Sequence, residues 1–225
     1  MKIQGEDHIA RAAIIISILK NATRDMIQPA SSRIIEQYGK NPFLILISCL
    51  LSLRTKDSVS LPASQRLFAV AQTPQEMVGI STKELEKIIY PVAFYRKRAQ
   101  NIQVVCKELI ERFAGLVPGS EDELLTISGV GRKTASLVLG EGFDIPAICV
   151  DTHVHRISNR LGLVATKTPA ETEIALKKLL PKEQWIEFNR LLVMWGQNIC
   201  VPISPKCSEC AIVNLCPRIG VTKSR

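Results

Sequence analysis

Four cysteines near the C-terminal end of the chain, Cys200-x6-Cys207-x2-Cys210-x5-Cys216, carry the most specific chemical pattern in the sequence. Four thiolates in one short segment can satisfy a tetrahedral zinc ion or a cubane iron-sulfur cluster. Zinc ribbons usually present two Cys-x-x-Cys pairs, whereas here only Cys207 and Cys210 form one. With all four positions filled by cysteine, the expected role is to hold a loop rather than to do chemistry. The remaining cysteines, Cys49, Cys106 and Cys149, lie alone in apolar surroundings and read as core residues.

A lysine supplies the second chemistry. Ile127-Ser128-Gly129-Val130-Gly131-Arg132-Lys133-Thr134-Ala135 joins two helical segments through a Gly-x-Gly turn. Such a turn admits positive φ angles, and its amides, leading into a helix N-terminus, can converge on an anion such as a phosphate. Structural helix corners use glycine as well, so the turn alone is weak evidence. Lys133 stands beside Arg132 in the first turn of a helix, against the positive end of the macrodipole, which works against its charge. It reads either as a solvated surface lysine or as a neutral amine able to form a Schiff base with a carbonyl-like carbon.

The third candidate is Asp151, in Val150-Asp151-Thr152-His153-Val154-His155-Arg156 after the β-branched stretch 145–150. By residue type it is an N-cap. A carboxylate there stays ionised and can also stabilise a cationic sugar or manage the proton of an attacking amine, so both roles can hold together. His153 is expected at the helix start or on a nucleic-acid-facing surface, and His155 in a structural role.

These residues must be positioned by helices. Pro42, Pro74, Pro169 and Pro181 each precede a helical run, with Thr73 and Thr168 as N-caps, and Ser120 with Glu123 has capping-box spacing. Periodicity predicts a helix from Tyr95 to Phe113 ended by Gly115, and a buried helix over 8–19. Pro62 is expected in a first helical turn or at a break. Strand signals are weak, which makes the chain all-α. At 225 residues with 46% hydrophobic content it can bury a core as one large domain or two modest ones. The formal charge of +8 and pI near 9.2 favour a polyanionic partner, although ordinary solubility charge reads the same. The apolar stretch 9–19 contains Arg11, lacks a basic leader and is too short for a bilayer; no membrane association is expected, and the protein should work inside the cell, in the cytoplasm or nucleoid if prokaryotic.

The motif Leu-x-x-Ile-x-Gly-Val-Gly-Arg-Lys-Thr-Ala, together with Val-Asp-Thr-His placed 18 residues from Lys133 to Asp151 and the x6, x2, x5 cysteine spacing, resembles the endonuclease III family. The resemblance runs from about Ile35 to Cys216. It implies a helix-hairpin-helix DNA glycosylase fold: a six-helix barrel domain over 36–146 and an iron-sulfur helical domain from 1–35 and 147–225, with a DNA cleft between them. It implies Lys133 and Asp151 as catalytic residues and a 4Fe-4S cluster on Cys200, Cys207, Cys210 and Cys216. The partner is double-stranded DNA containing damaged bases or abasic sites, bound by a monomer.

Lysine at 133 marks the bifunctional branch, since related adenine and mismatch thymine glycosylases carry other residues there. The implied activity is removal of oxidised pyrimidines followed by β-elimination through a lysine Schiff base, without Mg2+. A monofunctional mismatch or alkylated-base glycosylase and a non-catalytic iron-sulfur DNA-binding protein are the alternatives. Gly129, Val130, Gly131, Arg132 and Thr134 are expected on DNA with the hairpin. Two further loops are expected there: Arg54, Thr55 and Lys56, where the family's polar wedge is commonly glutamine, and Phe94 and Lys97, where a leucine often stands at the position of Phe94. Arg54 and Phe94 are departures from the family pattern. Phe94 also reads as a core residue.

Overall fold

A computed structural model of the chain describes residues 5–225, with side chains from His8 onward. Twelve α-helices and a few short turns of 3-10 and π geometry make up its regular structure, and no strand occurs among the described residues. The all-α expectation holds. The helices are α1 (Gly5–Ala22), α2 (Ala30–Tyr38), α3 (Pro42–Ser52), α4 (Asp57–Phe68), α5 (Pro74–Gly79), α6 (Thr82–Ile89), α7 (Tyr95–Phe113), α8 (Glu121–Leu125), α9 (Arg132–Leu137), α10 (Thr152–Arg160), α11 (Pro169–Leu179) and α12 (Trp185–Asn198). They fall into two compact units, Pro29–Ile145 and the residues up to Gln28 joined by Pro146–Arg225.

In the unit Pro29–Ile145 the organising element is α3. Asn41 starts it by accepting from the amides of Phe43 and Leu44 at 3.0 and 3.3 Å, and Pro42 occupies the first turn, where its missing N–H is not needed. Every residue from Phe43 to Leu51 is buried, as a helix apolar all round must be. Helices α2, α4, α7 and α9 and the π turn Val138–Gly142 pack around it.

Sequence signals set the neighbouring boundaries. Thr73 and Glu76 close a full capping box on α5. Helix α7 has the expected limits and ends through left-handed Ala114 and Gly115, the Gly115 amide reaching the Leu109 carbonyl at 2.8 Å. Ser120 caps α8 through the Glu123 amide, but the Glu123 carboxylate accepts from the Ser120 hydroxyl rather than its amide. Pro62 departs from expectation, since it sits inside α4 without breaking it. Pro62 and Ser58, whose carbonyl loses its helical donor, both lie on the exposed face, where water can replace the bond.

In the other unit α12 is central, with α1 and α10 packed against it and α11 against α10 and α1. Helix α1 buries Ala12, Ile15, Ile16 and Leu19 and leaves Ile9 and Ile14 exposed, so it is amphipathic rather than wholly buried. Pro181 leads a 3-10 turn, Lys182–Gln184, that runs into α12, and the Trp185 indole donates to the Leu180 carbonyl at 2.9 Å. Among the described residues no helix is long and apolar enough to cross a membrane.

Because α3 is enclosed on all sides, Leu46→Ala leaves a cavity that the surrounding helices cannot close. A loss of about 2–5 kcal/mol is expected in denaturant unfolding.

Candidate active site and cysteine centre

The Gly-x-Gly turn links α8 to α9 as a helical hairpin. Gly129 has φ +79°, and a Cβ there would collide with the Asn101 side chain, so glycine is required twice over. Gly131 does not use the positive φ that the turn admits: its φ is −102°, in extended backbone. It has open space around it and no side chain to cap the helix it begins. The first bond within α9 runs from the Ala135 amide to the Gly131 carbonyl at 2.9 Å, so the amides of residues 132–134 precede the helix's own ladder. Arg132 and Lys133 are exposed, while the Val130 and Thr134 side chains point inward. Any contact by Thr134 with a ligand therefore falls to its backbone.

Helix α7 holds this turn. Glu108 accepts from the Ser128 amide at 2.9 Å and from the Ser128 hydroxyl, and Arg112 donates to the Thr126 hydroxyl at 2.6 Å and to its carbonyl at 3.3 Å. Asn101, Glu108 and Arg112 share one face of α7 by their spacing of seven and four. Sequence reasoning missed them because their signal is polar residues at helical intervals, which resembles any solvated face.

The two candidate loops of the same unit are fastened together. Thr55 Oγ1 accepts from the Ala93 amide at 3.2 Å, and Arg98 donates to the Leu53 carbonyl at 3.2 Å. Arg98 is partly buried, which lowers its pKa by desolvation, and it is set apart from the exposed Arg96 and Lys97. Arg54 and Phe94 both adopt left-handed backbone, φ 60° and 58°, and the Arg54 guanidinium lies 5.6 Å from the Phe94 ring centre. Phe94 is 62% exposed, which excludes its reading as core. Lys56 is exposed at the start of α4.

In the other unit Asp151 is the N-cap of α10. Its Oδ1 alone accepts from the amides of His153 and Val154, at 2.8 and 2.9 Å, which leaves Oδ2 outside the capping bonds. His155 is structural, Nδ1 lying 2.7 Å from the Thr172 hydroxyl. His153 is packed against α12, where a Cβ on Gly196 would collide with its ring, and Arg156 lies 3.2 Å from its Nδ1.

Arg156 and Arg160, one turn apart on α10, were not picked out by sequence. Arg156 donates to the carbonyls of Thr152, Gly196 and Cys200 at 3.2, 3.3 and 2.8 Å. Burial lowers its pKa, and the neighbouring Cys200 and Asp151 oppose that. Arg160 donates to the Cys200 sulfur at 3.4 Å and to the carbonyls of Val201 and Pro202 at 2.8 and 2.7 Å.

Cys200, Cys207, Cys210 and Cys216 carry free thiols and line one pocket, partly open to solvent. Burial pushes the thiols of Cys210 and Cys216 up, and their cysteine neighbours push the same way. Among the described residues no three His, Cys, Asp or Glu side chains converge tightly enough to grip one metal ion. The donor set is sulfur alone, and all four thiols border the same pocket. Behind it the buried Trp195 Nε1 has no hydrogen-bond partner of normal geometry. Soft thiols with a spare N–H donor beside them fit a polynuclear iron-sulfur group. Cys49, Cys106 and Cys149 are buried as expected, with the Cys106 thiol pushed up to about 12 by desolvation.

An all-helical chain with a glycine hairpin ending in an exposed lysine, and four thiols on one cavity, defines a helix-hairpin-helix protein with a cysteine centre. Residues 47–182 match the model of the HhH-GPD superfamily of base excision DNA repair proteins. The chain is 46% identical over 196 residues to endonuclease III of Thermotoga maritima, covering 85% of this chain and 92% of that one. Two solved structures, a non-covalent endonuclease III–DNA complex and a trapped endonuclease III–DNA covalent intermediate, each superpose with TM-score 0.83 at 33% identity, covering 96% of this chain and 97% of theirs. The chain belongs to the endonuclease III family of base excision DNA repair proteins.

The contact of His153 with Gly196 makes a sharp stability test. Gly196→Ala is expected to cost about 1–3 kcal/mol through overpacking. Adding His153→Ala should restore part of that loss in the same thermal or denaturant assay.

Proposed function

We propose that Lys133 and Asp151 carry the chemistry of a bifunctional base-excision enzyme, a DNA glycosylase and abasic-site lyase acting on duplex DNA with oxidised pyrimidines. Membership of the endonuclease III family, with an exposed lysine at the hairpin's helix start, is the observation that carries this reading. Taking the target nucleotide out of the stack costs a few kcal/mol. The hairpin amides around Gly129, Gly131 and Arg132 hold backbone phosphate, with Gly131 leaving room for close approach. Arg54 and Phe94, with Thr55, Lys56 and Lys97 around them, occupy or brace the gap that the nucleotide leaves.

At the flipped sugar the Lys133 amine donates its electron pair to C1′, and the C1′–N bond electrons depart with the base. Ring opening then gives a Schiff base on Lys133 Nζ. Loss of a C2′ proton expels the 3′ phosphate and nicks the strand. Asp151 stabilises positive charge on the sugar and takes up the amine's proton, its Oδ2 lying outside the capping bonds.

Cys200, Cys207, Cys210 and Cys216 hold a 4Fe-4S cluster, a reading supported by the all-sulfur donor set gathered on one pocket. When bound, the cluster cross-links the loop from 200 to 216 through four iron-thiolate bonds. The functional division we propose follows the expected domains, a hairpin-bearing barrel over 36–146 and a cluster domain from 1–35 and 147–225, of which residues 1–4 lie outside the described part. Its genomic substrate places the enzyme inside the cell.

Borohydride reduction on an abasic or oxidised duplex should trap a covalent adduct with the wild type and none with Lys133→Ala. An undiminished adduct in that variant overturns the assignment of Lys133, and base release with an intact strand before alkali treatment identifies a monofunctional enzyme instead. Asp151→Asn separates capping from catalysis, since the amide oxygen can still accept from His153 and Val154. Stability should change by less than about 1 kcal/mol while turnover falls about 10²–10⁴-fold; unchanged turnover would reduce Asp151 to a cap. Iron and sulfide analysis checks the cluster, and a colourless, zinc-containing protein removes it.

A further inference from the structure

Trp195 lies in the last turn of α12, five residues before the first cluster cysteine, and is 2% exposed. Its backbone carbonyl accepts the Cys200 amide at 2.8 Å. The core that contains it is the one against which Cys200, Cys210 and Cys216 pack. An indole has one donor and no acceptor, and a buried donor without a partner costs about 1–3 kcal/mol. The indole of Trp185, at the other end of the same helix, meets that requirement through the Leu180 carbonyl, whereas Trp195 Nε1 has no partner of normal geometry.

The group facing it is the Cys210 sulfur. Cys210 packs on the core that contains Trp195, and the indole N–H is directed at its sulfur without closing a full hydrogen bond to it. A thiol is a weak acceptor and a metal-bound thiolate a much stronger one, so the donor is matched to the loaded state of the site.

We propose that Trp195 is a positioning residue of the cysteine centre, its indole N–H donating to the Cys210 sulfur once that sulfur is an iron-bound thiolate. The proposal rests on the 4Fe-4S reading above. Hydrogen bonds to cluster sulfurs stabilise the more negative, reduced state and so raise the reduction potential. One side chain then serves the centre in two ways: its carbonyl anchors Cys200, and its ring N–H withdraws charge at Cys210.

The test is the midpoint potential of the cluster in the intact holoprotein, measured by film voltammetry, with iron content determined in parallel. Trp195→Phe should shift the potential to more negative values and shed iron faster to a chelator. Replacing Trp195 with β-(3-benzothienyl)alanine, which exchanges the N–H for sulfur at nearly constant volume, should give the same direction of shift with packing kept. If Trp195→Phe loses the cluster altogether, the isosteric replacement decides. A cluster whose potential does not move in the isosteric protein overturns the role of Trp195. Wild-type protein without iron would instead overturn the cluster reading itself.

Discussion

A single guanidinium ties the helix that begins at Asp151 to the start of the cysteine loop. Arg156 stands one turn into α10 and donates to its own helix at Thr152, to α12 at Gly196 and to the first cysteine at Cys200. Carbonyls at the end of α12 carry the negative end of a macrodipole, so a cation is favoured there even though burial opposes its charge. Hydrogen bonds to charged groups contribute about 1.5–3 kcal/mol each, enough to offset that desolvation when several converge. The consequence is geometric. The position of Asp151, the packing of His153 on Gly196 and the point where the cysteine loop leaves α12 are fixed together. Arg160 repeats the device one turn later on the loop backbone.

The hairpin follows the same logic with the roles reversed. A turn proposed to expose its amides to a phosphate cannot bury them in its own core, and this one is held from behind. Glu108 and Arg112 of α7 satisfy Ser128 and Thr126, and Asn101 fills the space that Gly129 leaves by having no side chain. Polar clamps on a long, well-packed helix hold the left-handed turn at Gly129 without support from a ligand. In both units the residues proposed to act sit at helix starts; charged side chains of the adjacent α7 hold the hairpin, whereas Arg156 of α10 itself holds the helix that Asp151 begins.

Much of this was legible in the residues. Caps at Thr73-Pro74 and Thr168-Pro169 act through neighbours three positions away, so local sequence contains the whole interaction. The cysteine pattern is likewise local in the chain. Pro62 was misplaced because its tolerance depends on which side of α4 faces solvent, a tertiary fact. The Gly-x-Gly turn admits positive φ angles but does not say which glycine uses one; Gly129 does, while Gly131 serves for open space in an ordinary extended backbone. Arg156, Arg160 and the α7 clamp escaped notice because most of their partners lie 14 to 44 positions away, mainly on backbone carbonyls and amides that carry no sequence signature.

Long-range pairing also explains the two places where the chain departs from the family pattern. Read along the sequence, Arg54 for glutamine and Phe94 for leucine are separate changes forty positions apart. In the fold they form one cation–π pair, on loops already joined by Thr55 to Ala93 and by Arg98 to Leu53. Glutamine at 54 would carry no charge to the ring, and leucine at 94 would offer no π face to the guanidinium. Each residue suits the other better than it suits the usual partner. A stacked guanidinium also loses less freedom when it meets a base than a loose one, because its plane is already set. The two departures are therefore one coupled pair, an exposed tip whose polar and aromatic parts hold each other in register.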